Sequence, residues 1–290
     1  MGETGGEEKP LLCADQDRAD SYRQHREVFR AGSKTYFNSS LFFPPRLRKR
    51  VFTLYAFVRV ADNYVDELPQ KEAEFRDFRR RYEDAARGAP ANDTIIDPFV
   101  KLSAECSFDP AWTKAFLDSM EADLSKKNYD TLEETLAYIY GSAEVIGLFM
   151  ARIMELPPEA LRQAALLGRA MQYINFIRDI AEDTSLGRRY LPLNGASPEI
   201  VTPDYARGNP REFSAFIGGH LALYRVWQKD AIDGYRYIPR RFRLPIKTAA
   251  DMYWWTAGRI EKQPLVVFEK KIKPSRPRIF LRMARNAVLG

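Results

Sequence analysis

Residues Gln172–Pro192 read QYINFIRDIAEDTSLGRRYLP, and the spacing of polar side chains in this stretch decides how the chain is organised. Side chains three and four apart share a helix face. Asn175, Asp179 and Asp183 stand four apart, with Glu182 beside them and Arg178 next to Asp179. Ile174, Phe176, Ile177 and Ile180 run between them and carry the helix into a core. Gly187 is the expected helix stop, and Arg188, Arg189 and Tyr190 follow in a loop closed by Pro192. Like charges at this spacing repel by about a few tenths of a kcal/mol, and a buried carboxylate pair costs far more unless something neutralises it. A hard divalent cation can do so. Mg²⁺ prefers oxygen ligands and is usually held by one or two carboxylates plus substrate phosphates. The downstream arginines suit phosphate oxygens. A solvated acidic helix end explains the same letters. Asp93 and Asp97 share the spacing but lie between Pro90 and Pro98, in what reads as a loop, and are set aside.

A second stretch repeats the logic. Tyr55–Asp66, YAFVRVADNYVD, places Tyr55, Arg59, Asp62 and Asp66 on one helix face, at steps of four, three and four. Phe57, Val58, Val60 and Ala61 surround them. Two such helices facing each other would make a cage for several Mg²⁺ ions and a diphosphate. A surface ladder of ion pairs would have to arise twice independently to explain both.

The pair DNYVD and NFIRDIAED, with GRRYLP after the second, resembles the squalene/phytoene synthase family of head-to-head prenyl transferases. GSKTYF at 32–37 resembles that family's N-terminal substrate-binding stretch, and YIYGSAEVIGL at 138–148 its central helix. The likeness covers roughly residues 20–270. Asn63 departs from it, since many relatives carry an acid there. The resemblance implies an all-α fold, a single-domain isoprenoid-synthase helical bundle around a central cavity. It implies Mg²⁺ (or Mn²⁺) at Asp62, Asp66, Asn175, Asp179 and Asp183. Substrate contacts are expected from Ser33, Tyr36, Tyr55, Arg59, Tyr138, Gln172, Arg178, Arg188 and Tyr253. Tyr190 and Tyr253 are candidates for steering or deprotonating carbocations. The expected reaction joins two geranylgeranyl diphosphates through their C1 ends to phytoene, by way of a cyclopropyl diphosphate. Squalene, dehydrosqualene or presqualene-diphosphate synthesis from farnesyl diphosphate is the alternative, and NADPH would be needed only for squalene. A non-catalytic assembly factor of the same fold would have lost the aspartates that are present here.

Composition narrows the rest. The 290 residues are 45% hydrophobic and 29% charged, enough for one large domain. His25 and His220 are the only histidines, which leaves little material for zinc sites or histidine triads. No dinucleotide or phosphate-loop glycine motif appears, and no apolar run reads as long enough to span a bilayer. Residues 1–15 read as a disordered acidic tail, 16–270 as the domain, and 271–290 as a basic amphipathic tail. Residues 236–290 hold 14 Lys/Arg against 3 Asp/Glu, a net of +11 within a chain of net +6. Such a tail suits an anionic membrane surface, and a plain solubilising tail explains it equally well. Without a recognition motif beside it, nucleic acid is not expected as a partner. The expected location is cytoplasmic, peripheral on the inner face of the membrane, as monomer or homodimer.

In chain order, helices are expected over 15–30, from Pro45 to before Pro69, and over 71–87, 95–106, 110–127 and 131–156. The helix that carries the second aspartates follows Pro158, with others over 211–235 and 244–262. Gly141 and Gly147 interrupt the 131–156 pattern. Mid-helix glycine costs about 1 kcal/mol relative to alanine, so close helix packing is the expected reason for both.

Overall fold

The structure, a computed structural model, describes residues 9–32, 37, 40, 41 and 43–289, with side-chain surroundings for those from 20 to 288. The chain is 78% helical, and the described residues contain no strand, in line with the all-α expectation. They divide into two compact units, Met1–Ser107 and Phe108–Gly290, where one domain over 16–270 was expected.

In the first unit, α1 (Lys9–Gly32) packs on α2 (Pro45–Asp66), and α3 (Glu72–Ala86) and α4 (Ile96–Glu105) cover another side of α2. Helix α1 begins inside the stretch 1–15 expected to be disordered, so 9–15 are helical, while 1–8 lie outside the described residues. Pro45 occupies the first turn of α2, where its missing N–H costs nothing. Aromatic residues spaced along α2 reach both neighbours. Phe52 meets Phe29 of α1 edge-on at 5.4 Å, and Phe57 stacks on Phe99 of α4 at 3.8 Å. Both rings are fully buried. His25 ties α1 to the turn before α4 through a 2.7 Å bond between its Nε2 and the Thr94 carbonyl.

In the second unit, α5 (Pro110–Ser125), α6 (Leu132–Ile153), α7 (Leu161–Arg178) and the short α8 (Ile180–Ser185) come first. They are followed by α9 (Pro203–Gly208), α10 (Pro210–Ile232), α11 (Arg240–Lys262), α12 (Val266–Glu269) and α13 (Arg276–Leu289). Helix α7 is central and packs against α10, α6 and α11, burying Ala170, Tyr173, Ile174 and Ile177. The expected tight packing of α6 is present. A Cβ on Gly147 would lie 2.1 Å from the Ala164 carbonyl oxygen, and one on Gly141 equally close to that of Ala115. Helix α6 is not uniform, however, because a π-helical turn over Tyr140–Glu144 interrupts it. Ser119 Oγ donates to the Tyr138 carbonyl beside that turn, at 3.1 Å. By length and composition α6 is also apolar enough to cross a bilayer, contrary to expectation. Half of its most apolar window is buried, and Glu144 within it pairs with Arg169 of α7 at 2.6 Å, as suits a core helix.

Candidate active site

The second aspartate stretch departs locally from a continuous helix. Asp179 (φ −99°, ψ 14°) ends α7 and begins α8. The hydrogen-bond ladder nevertheless runs through it. Asp179 N–H donates to the Asn175 carbonyl at 2.8 Å, and Asp183 N–H to the Asp179 carbonyl at 2.9 Å. The spacing of four therefore keeps its meaning, with Asn175, Asp179 and Asp183 in helical register. Arg178 holds Asp179 through two bonds, of 2.8 and 2.5 Å. Asn175 Nδ2 approaches Gln172 Oε1 at 3.5 Å, and Asn175 Oδ1 is buried with no hydrogen-bond partner. A buried acceptor in that state is uncommon and costly. Glu182 turns to Lys271 at 2.5 Å, a surface ion pair.

Gly187 stops α8 as expected, at φ +68°, a conformation glycine adopts without strain. The turn brings Arg188 N–H onto the Asp183 carbonyl at 2.8 Å. The next residues pair with the end of α5. Arg189 N–H donates to the Lys127 carbonyl, and Tyr129 N–H to that of Arg189. The two neighbouring arginines thus part. Arg189 is spent on the Tyr129 and Leu191 carbonyls and on Asp130. Arg188 is buried and lines a small pocket with Phe176, Ile180, Asp183, Thr184 and Tyr190.

Beneath this pocket lies a cluster that the sequence did not reveal. Asp123 of α5 is buried and accepts from Tyr138 at 2.6 Å and Tyr190 at 2.9 Å. Tyr190 stacks on Phe176 at 4.5 Å and on Tyr129 at 5.5 Å. Burial, and then the Asp123 charge, push the Tyr138 and Tyr190 hydroxyls far above the usual tyrosine range. Tyr190 is therefore a neutral phenol that donates to Asp123. The signal for Asp123 was in the sequence: it continues the apolar stripe of Phe116 and Met120, where a carboxylate must find buried donors.

In the first unit, Arg59 donates to Asp62 at 2.6 Å across one turn of α2, with both side chains about a third exposed. Tyr55, one turn earlier, stacks on Phe29 at 3.8 Å. Burial raises its hydroxyl pKa, Arg59 opposes this, and Asp62 adds to it. Asp66 is exposed at the helix end. Gly32 closes on this face, since a Cβ there would lie 2.5 Å from the Tyr55 hydroxyl. Ser33 and Tyr36 lie outside the described residues. Tyr253 packs against the core of the second unit.

Asp93 and Asp97 prove to be structural, although Asp97 lies in the first turn of α4 and not in a loop. Asp97 accepts from the N–H groups of Ala91 and Asp93, and Asp93 from those of Ile95 and Ile96 and from Arg81.

The model of the family described as squalene/phytoene synthase matches residues 29–278. A phytoene synthase from Rhodobacter capsulatus is 32% identical over 239 residues, covering 79% of this chain and 69% of that one. A 15-cis-phytoene synthase from Pantoea ananas is 26% identical over 265 residues, covering 87% and 86%. Among solved structures, a ligand-bound dehydrosqualene synthase superposes with a TM-score of 0.80 at 23% identity, covering 94% of this chain and 97% of that one. The squalene synthase HpnC from Alicyclobacillus acidocaldarius does so with a TM-score of 0.75 at 22% identity, covering 84% and 94%. The structural likenesses bear on the fold alone.

Proposed function

The chain belongs to the squalene/phytoene synthase family and is a prenyl transferase, and from that premise we propose that it condenses two geranylgeranyl diphosphates head to head to phytoene. The observation that carries the choice of product is the similarity to relatives named phytoene synthase, among them the 32% identical Rhodobacter capsulatus protein.

Mg²⁺ is the expected metal, and the donor chemistry supports it. All the candidate ligands are oxygens: the carboxylates of Asp62, Asp66, Asp179 and Asp183, and the partnerless buried Oδ1 of Asn175. No cluster of three or more Asp, Glu, His or Cys side chains that would hold a metal by itself occurs among the described residues. An ion held here would take one or two carboxylates and complete its shell with water and substrate phosphate. When bound, Mg²⁺ supplies Lewis-acid stabilisation of the departing diphosphate.

The remaining work falls to the chain's own side chains. Arg59 and Arg178, each now paired with an aspartate, can exchange a carboxylate oxygen for a diphosphate oxygen as the leaving group gains charge. Arg188, buried beside Asp183 and Tyr190, offers a fixed cation at low dielectric. Phe176 and Tyr190 line the same pocket, where an aromatic ring is worth about 0.5–2 kcal/mol to a carbocation in contact. The hydroxyl protons of Tyr138 and Tyr190 are held on Asp123, so these two phenols offer the cation no strong nucleophile. The first condensation gives a cyclopropyl diphosphate. The second ionisation rearranges it, and proton loss gives phytoene.

Incubation of purified protein and Mg²⁺ with geranylgeranyl or farnesyl diphosphate, with and without NADPH, tests the proposal by mass spectrometry of extracted products. Phytoene from geranylgeranyl diphosphate without NADPH is expected. A C30 product in preference to C40 would overturn the chain-length assignment, and no condensed product from folded protein would overturn the activity.

A further inference from the structure

Helix α13 docks on α11 by a mixed side, on which Ile279 and Met283 are half-buried beside polar anchors. Asn286 is buried, donating to Asp251 at 2.7 Å and to Thr248 at 3.3 Å, and accepting from Lys247 at 2.8 Å. Arg282 joins the same carboxylate at 2.9 Å. Burial alone would raise the Asp251 pKa, but the bonds from Arg282, Asn286 and Lys247 outweigh it, and the carboxyl stays below its usual value. Helix α13 is thus pinned to α11 by a partly buried polar network around Asn286 as well as by Ile279 and Met283.

A second apolar stripe faces outward. Pro277, Phe280, Leu281, Ala284 and Val288 recur at steps of three and four and are all exposed. Phe280, Leu281 and Val288 are 66%, 75% and 85% exposed. Arg278 and Arg285 border one edge of the stripe, and Arg276 the other. Arg278 is steadied by stacking on Trp255 of α11 at 4.8 Å. From Lys270 to Arg285 there are seven Lys/Arg and no Asp/Glu.

We propose that the outer face of α13 docks on an anionic lipid bilayer. Phe280, Leu281 and Val288 would enter the headgroup–acyl boundary, with Arg276, Arg278 and Arg285 against lipid phosphates. Charge selects this occupant over a second copy of the chain, which would bring the same cationic stretch against itself. The pinned side fixes which face is presented, so the helix docks already folded and oriented. None of this rests on the product assigned above.

The test is vesicle flotation of the full chain. Binding is expected to vesicles containing about 30% phosphatidylglycerol and not to phosphatidylcholine alone, with release in about 0.5 M NaCl. Phe280→Ser with Leu281→Ser is expected to weaken capture by about tenfold or more. Arg276→Glu with Arg285→Glu, designed independently of the apolar pair, is expected to do so by a similar factor, since each cation near the surface is worth about fivefold. Circular dichroism and the thermal midpoint establish that both variants are folded. Three results would each overturn the proposal. One is absence of capture of the wild-type chain. Another is equal capture of the folded serine variant. The third is self-association in sedimentation velocity that the serine substitutions abolish, without vesicle binding.

Discussion

Two aspartate pairs with identical spacing meet opposite fates. Asp93 and Asp97 bracket the start of α4, and their oxygens are occupied by four backbone N–H groups and Arg81. Asp179 and Asp183 bracket the junction of α7 and α8, where Asp179 pairs with a single guanidinium and Asn175 Oδ1 nearby has no hydrogen-bond partner. A carboxylate that caps backbone amides cannot turn to a metal without unmaking its turn. One held by an arginine can trade that cation for another. Spacing does not separate the two pairs, and the source of their hydrogen bonds does.

The comparison can be broken by substitution. Asp179→Asn is expected to lower kcat/KM by about 10³-fold, the scale of losing a group that stabilises developing charge, with little change in the urea midpoint. Asp62→Asn is expected to behave alike. Asp123 is a third kind of carboxylate, buried under two phenols. Asp123→Leu leaves both hydroxyls without an acceptor, so a stability loss of about 2–4 kcal/mol is expected in urea denaturation, and Asp123→Asn, which keeps an acceptor, should lose less.

Acid sharpens the contrast between groups that serve the fold and groups that serve chemistry. Burial holds the His220 imidazole down to about 4, and lowers that of His25 as well. The unfolded chain takes up a proton near pH 6.5 that His220 refuses until about pH 4. Stability is therefore full above pH 6.5 and falls as pH drops towards 4, by up to about 3 kcal/mol for His220. His220→Gln should flatten the denaturation free energy across that window. The smallest effect is expected at the structural pair. Asp97→Asn should cost about 1–2 kcal/mol of stability and leave turnover per folded molecule unchanged.

Much of this was legible in the letters, for identifiable reasons. Proline's fixed φ and glycine's free one announced the helix ends, with Pro45 opening α2 and Gly187 closing α8. Gly141 and Gly147 announced close helix approach, because their cost needs a steric reason. The four-residue steps in both aspartate motifs survived even the break at Asp179, since the backbone ladder continues through it. What stayed hidden depends on long-range partners. The π turn at Tyr140–Glu144 sits where α6 packs against α5 and α7. Nothing in RR distinguishes Arg189, bound to the Tyr129 carbonyl, from Arg188 in the pocket. The polar anchoring of α13 depends on Asp251, 35 residues away from Asn286.

The most direct test is calorimetric binding of inorganic pyrophosphate, with and without Mg²⁺, to the wild-type chain, Asp179→Asn and Asp97→Asn. The expected result is Mg²⁺-dependent binding in the wild type and Asp97→Asn, and its loss in folded Asp179→Asn. Undiminished binding by Asp179→Asn, or equal loss in folded Asp97→Asn, would contradict the distinction drawn between the two pairs.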